Sequence, residues 1–174
     1  MEFLNAIKAL LPDYAKDIRL NFDAVLVRSS LDLADALGAA LAAAFAAKSK
    51  TLTDAIRNSG QLSDTDVNAA LTASALMGMN NVWYPYVEMA NDEDLKTQRA
   101  ELRMNAYATH GGVDKRRFEL FALAASIVGK CEYCIGSHYK LLKESGMSAV
   151  QLRDIGRVAA VVTAAANVIA AEGA

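Results

Sequence analysis

Both cysteines of the chain and one of its two histidines share one octet, Cys131-Glu132-Tyr133-Cys134-Ile135-Gly136-Ser137-His138, and Glu119 lies twelve residues before Cys131. If a helix begins after Gly129-Lys130, Cys131 falls in its first turn, Cys134 one turn on and His138 one turn further, on one face. Backbone N–H groups are unpaired at such a helix start and the helix dipole is positive there, so a thiolate is favoured. A thiol of ordinary pKa about 8.5 can fall to roughly 3.5–7.5 in that setting. The pair can also close. Helical neighbours at this spacing hold their Cβ atoms about 5–6 Å apart, whereas a disulfide takes about 3.5–4.5 Å, so oxidation is expected to tighten the turn around Lys130–Tyr133.

The chemistry such a dithiol serves can be weighed. Complete ionisation of a normal thiol near neutral pH gains only about 1.4–2.7 kcal/mol. Cleaving a peroxide also expels an alkoxide, and a positioned proton donor contributes about 10²–10⁴ in rate. His138 beside a thiol, with Glu119 holding the imidazole or a bridging water, supplies both effects. The other cysteine then resolves the sulfenic acid before further oxidation. Zinc is the main rival, since Cys131, Cys134, His138 and Glu119 are acceptable ligands by type, although both cysteines occupy one turn. Thioredoxin-like chemistry would need a βαβ pattern around the motif, and c-type haem attachment needs histidine where the chain has Ile135. Tyr133 can serve as a relay member or as packing, Ser137 reads as a surface hydroxyl, and His110 reads as an exposed loop residue. Trp83, Tyr84 and Tyr86 read as core or subunit interface, and Met77, Met79 and Met89 as core.

The elements that must position these groups read as helices throughout. The chain has 174 residues, 53% of them hydrophobic, with 7% aromatics and two prolines; few segments show the β-branched alternation of strands. That length suits one domain, residues 1–174, with an adequate core. An apolar stripe from Phe3 to Leu11 stops at Pro12, and a helix is expected over Asp13–Val27 with Tyr14, Ile18 and Phe22 on one face. Ser30 is expected to cap an alanine-rich helix over Leu31–Ala47. A short helix over Thr53–Asn58 follows. Ser63 opens another that should reach Gly78, before a separate segment Asn80–Ala90 containing Pro85. A helix over Leu102–Tyr107 precedes the loop Thr109-His110-Gly111-Gly112. Asp114 caps the helix Lys115–Val128, which ends at Gly129. The redox-active hairpin thus spans about 114–146, with Gly146 as its stop. Ser148 and Gln151 form a capping box for Ala149–Ala171. A weak internal repeat sets Ala73–Gly78 against Ala124–Gly129, which places Asn80 and Trp83 opposite Cys131 and Cys134.

Net charge is −2 and the pI about 5.7, with no basic stripe, so no nucleic-acid partner is expected. The apolar runs Leu37–Ala47 and Val158–Ala171 are too short or too interrupted to span a bilayer. The N-terminal residues lack a signal-peptide layout. A C-x-x-C pair in such a chain points to a reducing cytoplasm and to redox or metal chemistry.

Spaced E-x11-C-x2-C-x3-H on consecutive helices, Glu119, Cys131, Cys134 and His138 resemble the alkylhydroperoxidase D family, a branch of the carboxymuconolactone decarboxylase-like superfamily. The blocks Leu11–Ile18, Met77–Val82 and Leu102–Asn105 extend the resemblance along essentially the whole chain. It implies an all-α fold assembled as a homotrimer and lipoamide-dependent peroxide reduction, with no cofactor bound in the chain itself. In that scheme Cys134 attacks an organic hydroperoxide and Cys131 completes the disulfide. A lipoylated dihydrolipoamide acyltransferase then supplies electrons, and a peroxiredoxin of the alkyl hydroperoxide reductase C type can receive them. The family pattern has histidine where this chain has Tyr133. A phenol of pKa about 10 is a poor base at neutral pH, so the relay would rest on Glu119 and His138. The other readings are a decarboxylase-like enzyme without redox chemistry, which would not need the cysteines, and a zinc-binding or redox-sensing helical module.

Overall fold

Alanine sets the architecture, because a helix sheathed in methyl groups can be approached closely from several sides at once. The computed structural model describes residues 1–173. The α-helices run, in chain order, α1 (Glu2–Ala9), α2 (Lys16–Phe22), α3 (Leu33–Ala46), α4 (Lys50–Arg57), α5 (Asp64–Ala90), α6 (Glu93–Thr97), α7 (Asn105–Ala108), α8 (Lys115–Gly129), α9 (Glu132–Glu144) and α10 (Ala149–Glu172). No strand occurs among the described residues, and the fold is all-α.

Helix α3 is the axis. Every residue from Ala36 to Ala44 is buried, and α5, α8 and α10 pack around it. At Gly38 a Cβ would lie 2.2 Å from Cε1 of Phe121, so only hydrogen fits where α3 meets α8. The buried apolar cluster extends from Leu4 on α1 to Ile169 on α10.

Several local expectations are revised. The segment 13–27 is not one helix: a 3₁₀ turn at Asp13–Ala15 precedes α2, and a π-turn at Asp23–Val27 follows it. Phe22 is buried, but Tyr14 is 72% exposed. Its hydroxyl bonds Glu172 Oε1 at 2.5 Å. Ser30 does not cap α3. Asp32 does, accepting from the Asp35 N–H at 2.8 Å. Ser30 instead donates both its N–H and its hydroxyl to Asp154 Oδ2, each at 2.8 Å, because a buried carboxylate needs those donors more than a helix end open to water does.

The break anticipated at Gly78 is absent, and α5 runs unbroken through Gly78 and Pro85. A helical glycine costs only about 1 kcal/mol, which packing along α3 and α8 outweighs. The two repeat segments therefore differ: α8 ends at Gly129 and turns back as α9, while α5 continues past Gly78. Met89, read as core, is 79% exposed. Helix α10 is long and apolar enough to cross a membrane by length and composition. Here its Leu152, Ile155, Val158, Val162 and Ile169 are buried in the core, along with the carboxylate of Asp154.

Candidate active site

The turn between α8 and α9 sets the geometry. Lys130 ends α8 in the left-handed region at φ 55°. Cys131 follows in extended conformation (φ −81°, ψ 102°) as the N-cap of α9. It lies one residue outside the first helical turn that the sequence suggested. From there its sulfur accepts the N–H of Cys134 at 3.2 Å, as a capping serine would. The two cysteines form a disulfide with Cα atoms 5.2 Å apart. Because the N-cap residue has non-helical dihedrals, the bridge closes while α9 keeps a regular first turn.

Cys131 is fully buried and Cys134 is 3% exposed. Cys134 and His138 border a cavity of about 380 Å³, together with Asn80 and Tyr84 of α5, Met104 at the start of α7, Tyr107 and Ala108 of α7, and Tyr133 and Ser137 of α9. Tyr133 is 55% exposed and stacks on Tyr84, with ring centroids 4.2 Å apart. The two phenols thus form one wall of the opening.

Glu119 and His138 are brought together. Nδ1 of His138 lies 2.6 Å from Oε2 of Glu119, and the hydroxyl of Tyr107 donates a short hydrogen bond to Oε1. Glu119 is 1% exposed. Burial pushes its carboxyl up, but hydrogen bonds from His138 and Tyr107 and the electrostatic pull of His138 and Lys115 outweigh this and hold it below its ordinary 4.5. Burial first, then the hydrogen bond to Glu119 and its charge, raise the Tyr107 phenol well above its ordinary 10.0. An ionised carboxylate only accepts, so Nδ1 carries a proton and Nε2 presents its lone pair in the neutral ring. Nε2 faces Met77 Sδ at 3.1 Å. In this disulfide state both ring nitrogens are engaged, and His138 and Cys134 line the same cavity.

The four zinc-type residues are not gathered into a metal cage. The sulfurs are bonded to each other, and no group of three or more His, Cys, Asp or Glu among the described residues is placed to hold an ion. His110 is half-buried, with its ring against Tyr107 and Phe118, outside the cavity.

Residues 93–174 match the Carboxymuconolactone decarboxylase family. The chain is 45% identical over 173 residues to the alkyl hydroperoxide reductase AhpD of Rhodospirillum centenum, covering 98% of this chain and 92% of that protein. It is 41% identical to the AhpD of Maricaulis maris, with 97% and 98% covered, and 40% identical to that of Bradyrhizobium sp. strain BTAi1, with 97% and 93% covered.

The chain belongs to the AhpD family.

Three residues of this AhpD-family site were not legible as site residues in the sequence. Tyr107 read only as the end of a helix, yet it holds Glu119. Met77 and Tyr84 read as packing, yet one stands against His138 and the other lines the cavity.

Proposed function

We propose that the protein is a thiol peroxidase that reduces organic hydroperoxides to alcohols through a Cys131–Cys134 dithiol/disulfide cycle. The Cys134 thiolate attacks the outer peroxide oxygen. An S–O bond forms, the O–O bond breaks, and the alkoxide leaves as alcohol after taking a proton. Cys131 then attacks the sulfenic sulfur, forming the disulfide and releasing water. Two electrons pass from the dithiol to the peroxide. His138, oriented by Glu119, accepts the thiol proton and delivers one to the leaving oxygen. The observation that carries this reading is the placement of Cys134 at a cavity wall beside His138, with its partner sulfur at the N-cap of α9. The name shared by the relatives supports the substrate class.

Re-reduction falls to the dihydrolipoyl group of a lipoylated acyltransferase, with a peroxiredoxin as a further electron acceptor. The working form is a trimer in the cytoplasm, and no cofactor is bound in the chain. Tyr133 acts in the cavity wall through its stack on Tyr84, leaving proton transfer to His138 and Glu119. Stopped-flow oxidation of the reduced protein by cumene hydroperoxide, with and without Cys134→Ser, tests the proposal. Wild type should react far faster than free thiol and the variant should not. A wild-type rate no faster than free thiol would remove peroxidase from consideration. Rapid reduction of the disulfide by dihydrolipoamide would then leave electron relay as the activity.

A further inference from the structure

Asn80 has hydrogen-bonding capacity that nothing in the fold uses. It lies midway along α5, where the helix runs on past Gly78, and is 8% exposed. Its backbone carbonyl is 3.9 Å from Cys131 Sγ, so the residue sits over the disulfide. Its side chain borders the cavity shared by Cys134 and His138. The one side-chain contact the amide makes is Nδ2 to Met77 Sδ at 4.0 Å, a long approach to a weak acceptor. Neighbouring Asn81 turns instead towards α8, donating to the Ala125 carbonyl at 3.2 Å while its Oδ1 stays buried without a partner. The unused capacity of the Asn80 amide opens onto the cavity, where a ligand can complete its bonding.

We propose that Asn80 is a catalytic residue of this site, its carboxamide N–H donating to the oxygen that departs as alkoxide when the Cys134 thiolate cleaves the peroxide. The inference rests on the peroxidase reading. His138 can bring its proton to the leaving oxygen through Nε2 alone, because Nδ1 is held by Glu119, and in the disulfide state Nε2 stands against Met77, so a second donor is needed to steady the charge before that proton arrives. A neutral amide donates at every pH and needs no reorganisation as charge develops on the oxygen. Removing one such donor from an anion-stabilising site typically costs about 10²–10³ in rate.

Leaving-group dependence separates this role from a structural one. A tertiary alkoxide departs badly and depends on donors, while a carboxylate departs unaided. Reduced wild type and Asn80→Ala are each mixed in stopped flow with tert-butyl hydroperoxide and with peracetic acid. The variant should lose about 10²-fold against the alkyl hydroperoxide and only a few-fold against the peracid. Asn80→Ser, which keeps a small donor at the position, should fall between them. The ratio of the two rates is read within each protein, so a change in the folded fraction cancels. Equal losses with both oxidants, or no loss with either, would overturn the role of Asn80. A wild type no faster than free thiol would instead overturn the peroxidase reading itself.

Discussion

Replacing Tyr107 by phenylalanine removes one oxygen and leaves the ring in place against Phe118. Glu119 then keeps His138 on one oxygen and loses the donor on the other, in a position that is 1% exposed. Depriving a buried charged acceptor of its donor costs about 1.5–3 kcal/mol. In a chain of this size that is a fall in Tm of roughly 3–12 °C. The loss should also depend on pH in a defined direction. The Glu119 carboxyl titrates lower in the folded protein than its ordinary 4.5, so its contribution is complete above that pH and is lost as the pH falls through the folded value. The Tyr107 phenol titrates above its ordinary 10.0, so its contribution is complete below that pH and is lost as the pH rises through the folded value. The gap between wild type and Tyr107→Phe should be widest between these limits and narrow on both sides. Melting curves for both proteins at neutral pH and in acid below 4.5 test this. An equal gap at both pH values would mean that the hydroxyl contributes packing alone, and an unchanged Tm at neutral pH would refute the bond's importance altogether.

Asp154→Ala should destabilise the fold by about 1–3 kcal/mol, because the two hydrogen bonds from Ser30 to this buried carboxylate are lost, while Ser30, Arg153 and Arg157 can all turn to water. Urea unfolding measures this, and peroxidase rate per folded molecule should stay unchanged because the residue lies outside the cavity. The Asp154 carboxyl is buried, which alone would raise it, but its hydrogen bonds to Ser30, Arg157 and Arg153 hold it far below 3.8. The wild-type advantage over the variant should therefore shrink as the pH drops below that value. Gly129→Ala would place a Cβ 2.0 Å from Asn81 Nδ2. It should cost about 1–3 kcal/mol by overpacking and slow oxidation by displacing the turn that leads into Cys131. A crystal structure with α5 and α8 unmoved, or an unchanged urea midpoint, would contradict this.

The fold class and the starts of α8 and α10 were readable from local signals. Asp114 and Ser148 cap the helices assigned to them, and the Ser148–Gln151 box is formed. Those features depend on residues within one turn of each other. What could not be read depends on distance. Whether Gly78 stops a helix is decided by α3 and α8, not by its neighbours in sequence. Ser30 left its expected cap for a carboxylate 124 residues away. In the site, Glu119 and His138 were found because consecutive helices bring their faces together. Met77 meets His138 across a separation of 61 residues, and Tyr107 sits in a short helix with no periodicity to orient it. A side chain that matters through one long-range contact leaves no trace in local spacing.

The unequal exposure of the two sulfurs gives the disulfide a front and a back. Cys131 is enclosed on all sides, while Cys134 touches the cavity, so an incoming thiolate can strike only the front atom. The electron pair is then released onto the rear sulfur, at which the N–H of Cys134 already points. The better departing thiolate is thus built into the end that no reagent reaches. Regeneration must pass through a mixed disulfide on residue 134, and the thiol that resolves it must come down the same passage as the first. Such a site favours donors that carry two thiols on one slender tether over two separate monothiols.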